Sequence, residues 1–336
     1  MKIALLSPNF YPLIGGLERM VAYMAQLFVE QGHKVVVLCR TPTEEPDMFP
    51  FRVVRKPSFW QAWATCRSAE VILSFNVSLK EMPAILLSGR TFAVSHQTPY
   101  SQDNLGRVKT WVARYLAKQN IYCSAYLAAH TAAPGTVIPN AYDEQTFYCG
   151  QPWIFRTRDL VFVGRLVSDK GADVLLRALA RLHAAGLPLK LTLVGQGPEE
   201  ETLRQLAAEL CLREWVAFEG LKQGTELAAL LNEHRVLVVP SVWPEPFGIV
   251  ALEGLACGCI VVASNTGGLP EALGGLGVLF PPGDEIALAD AIAHVWKRPL
   301  NFLPPAEKVA AHLRAHTRQT IAERYLDVLT KIVRKK

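Results

Sequence analysis

The feature that most constrains the fold is the stretch Val236–Phe280, in which two apolar runs alternate with loops and helical patterns. Val236–Val239 and Cys259–Ala263 are short and rich in β-branched residues, which is typical of buried strands in a parallel sheet. Two prolines flank Glu245 and block a helix there, and a helical pattern then spans Phe247–Ala256. The order strand, loop, helix, strand, loop predicts an α/β unit with a parallel sheet.

Both loops of this stretch follow a strand. In open α/β sheets ligands bind beyond the carboxyl ends of the strands, so we expect these loops to meet at a binding edge. The helix after Gly248 begins with free amide groups and a partial positive charge, which suit a phosphate. Glu253 lies among apolar neighbours in that helix, where an unpaired carboxylate is costly, so we expect it to have a polar partner.

The string PSVWPEPFGIVALEGLACGCIVVASNTGGLPE, with seven residues between Glu245 and Glu253, resembles the retaining nucleotide-sugar glycosyltransferases of the GT-B fold, in particular family four. The resemblance implies that Glu253 accepts hydrogen bonds from the donor ribose and that Glu245 lies near the donor sugar. It also implies a diphosphate held near Phe247, Gly248 and Ile249, a sugar pocket completed by the loop Gly267–Gly268, and Glu271 as a helper. The alternative is an ordinary βα unit with a surface glutamate.

Two cations stand between a predicted strand at 160–163 and a predicted helix at 173–184. Arg165 and Lys170 suit a diphosphate, because the charge that grows on a leaving nucleotide must be neutralised. Gly164-Arg165 followed by Lys170 resembles the pair that does this work in the same family, and Gly195-x-Gly-Pro resembles its next loop. The alternative is a surface loop of ion pairs.

The N-terminal part resembles the family only at scattered points. Gly15 and Gly16 follow a predicted strand and open a helix, so they leave amides free for a phosphate; relatives contact donor phosphates or acceptor there. His96 ends another predicted strand, where relatives often have a histidine that touches the donor sugar. A tight turn and a structural histidine are the alternatives. Ala141 stands where the family usually has glycine, so the turn there must differ.

A predicted helix at 105–120 mixes basic and aromatic side chains. One interpretation is a surface for anionic lipid or for a lipid-linked acceptor. The other is an amphipathic domain helix whose basic side chains reach into water. The chain has a net charge of +5, and residues 1–150 hold an excess of +4. An anionic acceptor, a membrane surface and ordinary solvated charge all fit that excess.

The 336 residues exceed one comfortable core, so we predict two domains. The fold class is α/β, with two Rossmann-like domains facing across a cleft. The N-terminal, acceptor-binding domain takes 1–150 plus about 317–336, because in relatives the last helix crosses back; the C-terminal, nucleotide-sugar domain takes 151–316. The first residues form a strand rather than a signal peptide. Seven cysteines without metal or disulfide spacing suggest reduced thiols in a cytoplasm.

These observations predict a retaining glycosyltransferase that moves a sugar from a UDP-, GDP- or ADP-sugar to an acceptor hydroxyl in polysaccharide, lipopolysaccharide or glycolipid biosynthesis. The expected catalytic residues are Glu245, His96, Arg165 and Lys170. No metal, cofactor or nucleic acid is expected, the acceptor-binding residues are unassigned, and the expected location is the cytoplasm, with the inner face of the cell membrane as a further site. The alternatives are a catalytically silent sugar-nucleotide binder and an NAD-dependent dehydrogenase, which would need the full glycine fingerprint.

Overall fold

The structure is a computed structural model that describes residues 1–13 and 15–334. The chain divides into two compact units, Met1–Ala141 with His316–Lys336, and Tyr142–Ala315. Positions 335 and 336, which the sequence prediction assigned to the first domain as part of about 317–336, lie outside the described residues. The first boundary falls before residue 150 because this segment is tied to the second unit. Asn232 accepts a hydrogen bond from the Gly150 amide and donates one to the Tyr148 carbonyl.

In the described part of the first unit, all strand pairs are parallel and the strand order is β3-β2-β1-β4-β5-β6-β7. The elements up to Ala141 are β1 (Lys2–Ser7), α1 (Gly16–Glu30), β2 (Lys34–Cys39), β3 (Arg52–Arg55), α2 (Phe59–Ser68), β4 (Val71–Phe75), α3 (Met82–Leu87), β5 (Phe92–His96), α4 (Asn104–Tyr115), β6 (Gln119–Tyr122), α5 (Ala125–Thr131) and β7 (Thr136–Val137).

The second unit repeats this architecture with the strand order β10-β9-β8-β11-β12-β13, again parallel. Its elements are β8 (Arg158–Val163), α6 (Ala172–Ala184), β9 (Leu191–Val194), α7 (Glu200–Glu209), β10 (Val216–Phe218), α8 (Gly224–Glu233), β11 (His234–Val239), α9 (Ile249–Ala256), β12 (Ile260–Ser264), α10 (Leu269–Leu273), β13 (Val278–Phe280), α11 (Glu285–Lys297) and α12 (Ala306–Arg314); α13 (Arg318–Arg334) then belongs to the first unit. Two parallel α/β units confirm the predicted fold class.

Each sheet reverses its strand order at one place. In the first unit the reversal lies between β1 and β4, and in the second between β8 and β11. A crevice opens beyond the carboxyl ends of the strands at such a reversal, and ligands of doubly wound folds bind there. The loops that follow β8 and β11 carry the predicted donor residues, so the topology brings these loops to one edge of the second sheet.

Helices cover both sheets with apolar side chains. In the first unit a single buried cluster joins α2, α3 and α4 to one face of the sheet, through residues such as Ala62, Ile85 and Val112. Helix α13 packs against α1, and its buried Tyr325 hydroxyl hydrogen-bonds the Ser95 hydroxyl at 2.8 Å. In the second unit a buried cluster joins α6, α7 and α11 to the sheet.

Helix α9 packs directly on the second sheet because Gly254 has no side chain. A Cβ atom at Gly254 would lie 2.3 Å from the Leu237 side chain in β11. This close packing fixes the position of the helix that carries Glu253 relative to the strand that leads to Glu245.

Some predicted element bounds were wrong. The helix predicted at 105–120 ends at Tyr115, and Gln119–Tyr122 is strand β6, because Gln119 and Asn120 pair with Ala93 and Val94 of β5. Pairing with the sheet therefore overrides the local helical pattern. The helix predicted from Phe247 begins two residues later, at Ile249, because Gly248 has a left-handed backbone with φ +101°.

Candidate functional site

An ion pair lies where the loops after β8 and β11 meet. The Lys170 ammonium Nζ is 2.5 Å from Glu245 Oε1, and both side chains are about four-fifths shielded from solvent. The Ser241 hydroxyl donates to the same carboxylate oxygen at 2.8 Å. The structure thus brings together two residues that are 75 positions apart in the sequence, and it adds a serine that the sequence prediction did not include.

The two loops approach so closely that one of them needs glycine. The Asp169 carbonyl accepts hydrogen bonds from the Val242 and Trp243 amides, at 3.0 and 3.2 Å. Gly171 has φ +69°, and a Cβ atom there would lie 2.1 Å from the Pro240 carbonyl oxygen. Glycine is therefore required at 171 by both backbone conformation and space.

A third loop, which follows β12, holds the backbone of Glu245. The Gly268 amide donates to the Glu245 carbonyl at 2.7 Å. Gly267 has φ +60°, and a Cβ atom there would lie 2.2 Å from the same oxygen. The predicted contribution of Gly267–Gly268 to the site therefore has a geometric basis: this loop fixes Glu245 from its main chain.

Helix α9 directs its N-terminus to the same edge of the sheet. Its N-cap residue Gly248 supplies no side-chain cap. Phe247 is buried before it, Ile249 is its first residue, and Glu253 is buried on its fifth position. The first-turn amides carry the positive end of the helix dipole. Nearby along the chain, at the end of β12, the buried Ser264 hydroxyl has no hydrogen-bond partner among the described residues.

The remaining donor residues of the second unit cluster at the ends of β8 and β9. The backbones of Gly164 and Gly195 are in close contact, since a Cβ atom at Gly195 would be 1.8 Å from the Gly164 carbonyl oxygen. Arg165 is exposed, and its guanidinium makes no ion pair within residues 1–13 and 15–334. The site therefore offers an uncompensated cation at Arg165, a shared cation at Lys170 and the amides of α9, which together can bind a multiply charged anion.

The structure places Gly15, Gly16 and His96 in the first unit. Gly15 is the N-cap of α1 and Gly16 its first residue, so the two glycines open this helix, as the sequence predicts. A Cβ atom at Gly15 would lie 2.4 Å from the Glu18 carboxylate. A carboxylate therefore already lies beside the first turn that was expected to receive a phosphate or an acceptor.

His96 is fully buried and both ring nitrogens are hydrogen-bonded. The Asn120 amide nitrogen donates to two carbonyls, of Ala113 and Pro134, so Asn120 Oδ1 accepts from His96 Nε2 at 2.9 Å. His96 Nδ1 then accepts from the Tyr100 hydroxyl at 2.8 Å. Burial lowers the pKa of His96 to about 4. This network favours a neutral, structural histidine, and the predicted contact with the donor sugar stays a prediction.

A buried arginine that the sequence analysis missed supports α9 from its other end. The Arg156 guanidinium is almost fully buried and donates to the carbonyls of Leu231, His234 and Cys257, which end α8, begin β11 and follow α9. The cationic side chain is favourable at helix C-termini. In the sequence, Arg156 is one basic residue in a segment interpreted as a polar linker, and nothing else there indicates that it is buried.

Two features of the described residues bear on metal and membrane. Among them, no group of three or more histidine, cysteine, aspartate or glutamate side chains could hold a metal ion. No helix in the described ranges is both long enough and apolar enough to cross a bilayer.

Comparison with known protein families and curated proteins gives a consistent result. Residues 155–315 match the family model described as glycosyl transferases group 1. The chain is 29% identical over 368 aligned residues to a glycogen synthase of Mycobacterium tuberculosis, covering 89% of this chain and 87% of that protein. It is 41% identical over 147 residues to a D-inositol 3-phosphate glycosyltransferase of Corynebacterium jeikeium, covering 41% of this chain and 35% of that protein.

Comparison with solved structures extends over nearly the whole chain. A crystal structure of HepE from Anabaena in complex with UDP-glucose matches with a TM-score of 0.84 at 22% identity, covering 98% of this chain and 100% of that one. A glycosyltransferase structure from Rickettsia africae matches with a TM-score of 0.83 at 16% identity and covers all of both chains. At these identities the similarity is one of fold.

Proposed function

Because this chain belongs to the group 1 glycosyltransferases, with the GT-B fold, we propose that it is a retaining enzyme that transfers a sugar from a nucleoside diphosphate to an acceptor hydroxyl. The observation that carries the proposal is the Lys170–Glu245 ion pair, which lies at the same edge of the sheet as Arg165 and the N-terminus of α9. These are fixed positive groups next to a carboxylate, which is what a sugar joined to a diphosphate requires.

Lys170 has a partner that donor binding would replace. Its ammonium contacts Glu245, which is also held by Ser241. A diphosphate between Lys170 and Arg165 offers Lys170 stronger charge-assisted hydrogen bonds, and the Glu245 carboxylate is then available to the sugar. Glu253, buried in α9, is the proposed ribose anchor.

The proposed reaction breaks the bond between the anomeric carbon and the diphosphate oxygen, and the transition state resembles an oxocarbenium ion. The electron pair of that bond leaves with the nucleotide, whose growing negative charge Arg165, Lys170 and the α9 amides stabilise. The acceptor oxygen forms the new bond on the same face of the sugar. The leaving phosphate takes the acceptor proton, so no protein group must change its protonation state.

We propose UDP-sugars as donors, with GDP- and ADP-sugars as the alternatives. Support comes from the Anabaena protein of the same fold, whose structure contains UDP-glucose. The proposed acceptor is a saccharide or a lipid-linked precursor of a polysaccharide, lipopolysaccharide or glycolipid. The proposed location is the cytoplasm, including the inner face of the membrane. Metal independence belongs to the same proposal, because protein cations and helix amides would take the place of a divalent ion.

The experiment is a thermal-shift screen with UDP, GDP, ADP, their sugars and NAD, in the presence of a chelator. A ligand at about one hundred times its Kd stabilises the folded protein by about 2.7 kcal/mol, so the true donor raises Tm clearly. Arg165→Ala should lose most of this shift, while Arg213→Ala, an exposed arginine of the same unit, should keep it. Flat melting curves with every nucleotide contradict the proposal, and a shift with NAD alone favours a dehydrogenase.

A turnover assay separates the enzyme from a silent binder. With the stabilising donor, release of the nucleoside diphosphate in the presence of acceptor saccharides should be measurable and should fall in Lys170→Ala. Binding of the donor without any release, for every acceptor tested, would favour a catalytically silent protein. Nuclear magnetic resonance of the product's anomeric proton would show whether the configuration is retained.

A further inference from the structure

The first unit shows an unusual concentration of exposed apolar side chains on one layer. Helices α2, α3 and α4 cover the same face of its sheet. Their outward sides expose large apolar residues, among them Trp60 at 70%, Leu87 at 65%, Trp111 at 53% and Tyr115 at 64% relative exposure. The remaining members of this set are Phe59, Leu86, Leu105 and Val108. We call these eight residues the outer apolar face.

Positive charge coincides with this layer. Residues 82–118, which include α3 and α4, contain five lysines and arginines but a single acidic residue, Asp103. The rest of residues 1–150 has nine basic and nine acidic residues, so the whole excess of +4 in that half of the chain lies in this segment. Asp103 is the N-cap of α4 and accepts a hydrogen bond from the Gly106 amide.

On α4 the bases and aromatics share the outward side. Trp111 and Tyr115 lie one turn apart with ring centroids at 5.9 Å, and the Arg114 guanidinium lies 5.8 Å from the Tyr115 ring. Val112 and Ala113 are buried against the sheet. The amphipathic interpretation from the sequence is thus correct for the buried side, but it does not account for the aromatic residues left in water.

We propose that the outer apolar face, with Arg107, Arg114 and Lys118, docks on a bilayer surface rich in anionic lipid. Tryptophan and tyrosine favour the interface between headgroups and acyl chains. Basic residues gain about 1 kcal/mol each near an anionic surface, which corresponds to a factor of about five in binding. Protein interfaces also favour aromatic residues and arginine, so it is the unbalanced positive charge of residues 82–118 that favours an anionic lipid surface over a protein partner. The inference deepens the proposed function, since a lipid-linked acceptor is presented at such a surface.

The test uses the full chain and sedimentation with vesicles of phosphatidylcholine alone or with about 30% phosphatidylglycerol. Wild type should bind only the anionic vesicles, and salt should weaken the binding. Arg114→Gln with Lys118→Gln should reduce the partition coefficient about 25-fold, as two factors of about five predict. Arg213→Gln with Lys308→Gln, which removes the same charge from exposed positions of the second unit, should change it less than about twofold.

Aromatic variants complete the test. Trp111→Ser with Tyr115→Ser should reduce the partition about tenfold or more, because apolar area is no longer buried in the interface. Equal losses from both charge pairs, or no binding of wild type to either vesicle, overturn the proposal. The thermal shift with nucleotide is measured on the same samples. A protein that binds nucleotide but no vesicle disproves only the docking surface, while one that binds vesicles but no nucleotide disproves only the proposed function.

Discussion

The two units have the same architecture, but their strand ends are built differently. In the second unit, loops after neighbouring strands touch through their main chains, and a Cβ atom at Gly171 or Gly267 would collide with a backbone oxygen. In the described part of the first unit, the left-handed glycines Gly32 and Gly89 follow helices rather than the carboxyl ends of strands, and no atom lies within 4 Å of such a Cβ. At its β5 end, side chains make the contacts instead, around the buried His96. Main-chain packing of this kind needs particular residues at particular places, which explains why the second unit carries the recognisable motif.

The largest expected effect tests whether chemistry belongs to the second unit's loops. Lys170→Ala removes the ammonium group that is proposed to stabilise the leaving diphosphate. It should lower kcat/KM by about 10²- to 10³-fold, with little change in Tm. Arg181→Ala, which removes an exposed partner of Glu285 on the same unit, should leave kcat/KM unchanged, because Arg181 has no role in the proposed donor site and its surface pair contributes only ~0–1 kcal/mol to stability. Steady-state kinetics with saturating acceptor measure both. Unchanged turnover in Lys170→Ala would remove this lysine from the mechanism.

The second prediction compares left-handed glycines in the two units. Gly267→Ala adds left-handed strain of about 1–2 kcal/mol and a collision with the Glu245 main chain that costs about 1–3 kcal/mol more. Gly32→Ala in the first unit has the strain without the collision. Urea unfolding should therefore show about 3 kcal/mol lost in the first variant and about 1–2 in the second. If both variants lose the same unfolding free energy, the close backbone contact at Gly267 adds nothing to stability, and the two units do not differ in this respect.

The third prediction concerns pH and applies to both units. Burial lowers the pKa of His96, in the first unit, and of His234, in the second, to about 4 from an ordinary 6.5. Since the unfolded chain binds the proton first, stability is complete above about pH 6.5 and falls as pH drops toward 4. As pH falls through that window, each histidine should lower the free energy of unfolding by about 1.4 kcal/mol per pH unit.

Asparagine variants test the assignment of this slope. His96→Asn and His234→Asn should each reduce the pH dependence of the unfolding free energy between pH 4 and 6.5, whatever they cost at pH 7. If His96→Asn keeps the pH dependence of the unfolding free energy and abolishes turnover instead, His96 acts in catalysis. The first unit would then contribute to the chemistry, contrary to the comparison drawn above.

The smallest expected effect sharpens the description of the first unit. Tyr325→Phe removes the buried hydrogen bond between α13 and the Ser95 hydroxyl, which Gln97 also donates to. The free energy of unfolding should fall by about 1 kcal/mol. Tyr148→Phe, at an exposed tyrosine of the second unit, should have no measurable effect. A loss from Tyr325→Phe no larger than that of the control would show that packing alone holds α13 in place.

Particular residues show how far the sequence could be interpreted. The alternation of apolar runs and helical patterns predicted both parallel sheets, because strands buried on two faces must be continuously apolar. Arg165 and Lys170 were identified because their loop follows a strand, and Glu245 was identified through the resemblance of its motif to the glycosyltransferase family. Strand β6 was not predicted, and the helix predicted at 105–120 was wrong over residues 116–120, because pairing of Gln119–Tyr122 with β5 decided the conformation there.

The sequence by itself determined the fold class, the strand ends that carry polar residues, and the glycines that let loops approach, because these depend on local pattern and backbone sterics. Only the tertiary structure decided that Lys170 meets Glu245 and Ser241, that Arg156 is buried beneath α9, and that His96 has both nitrogens occupied. It also decided that the aromatic residues of α2 and α4 share one outer layer. Such contacts join residues far apart in the chain, and no local pattern specifies which distant side chain fills a given position.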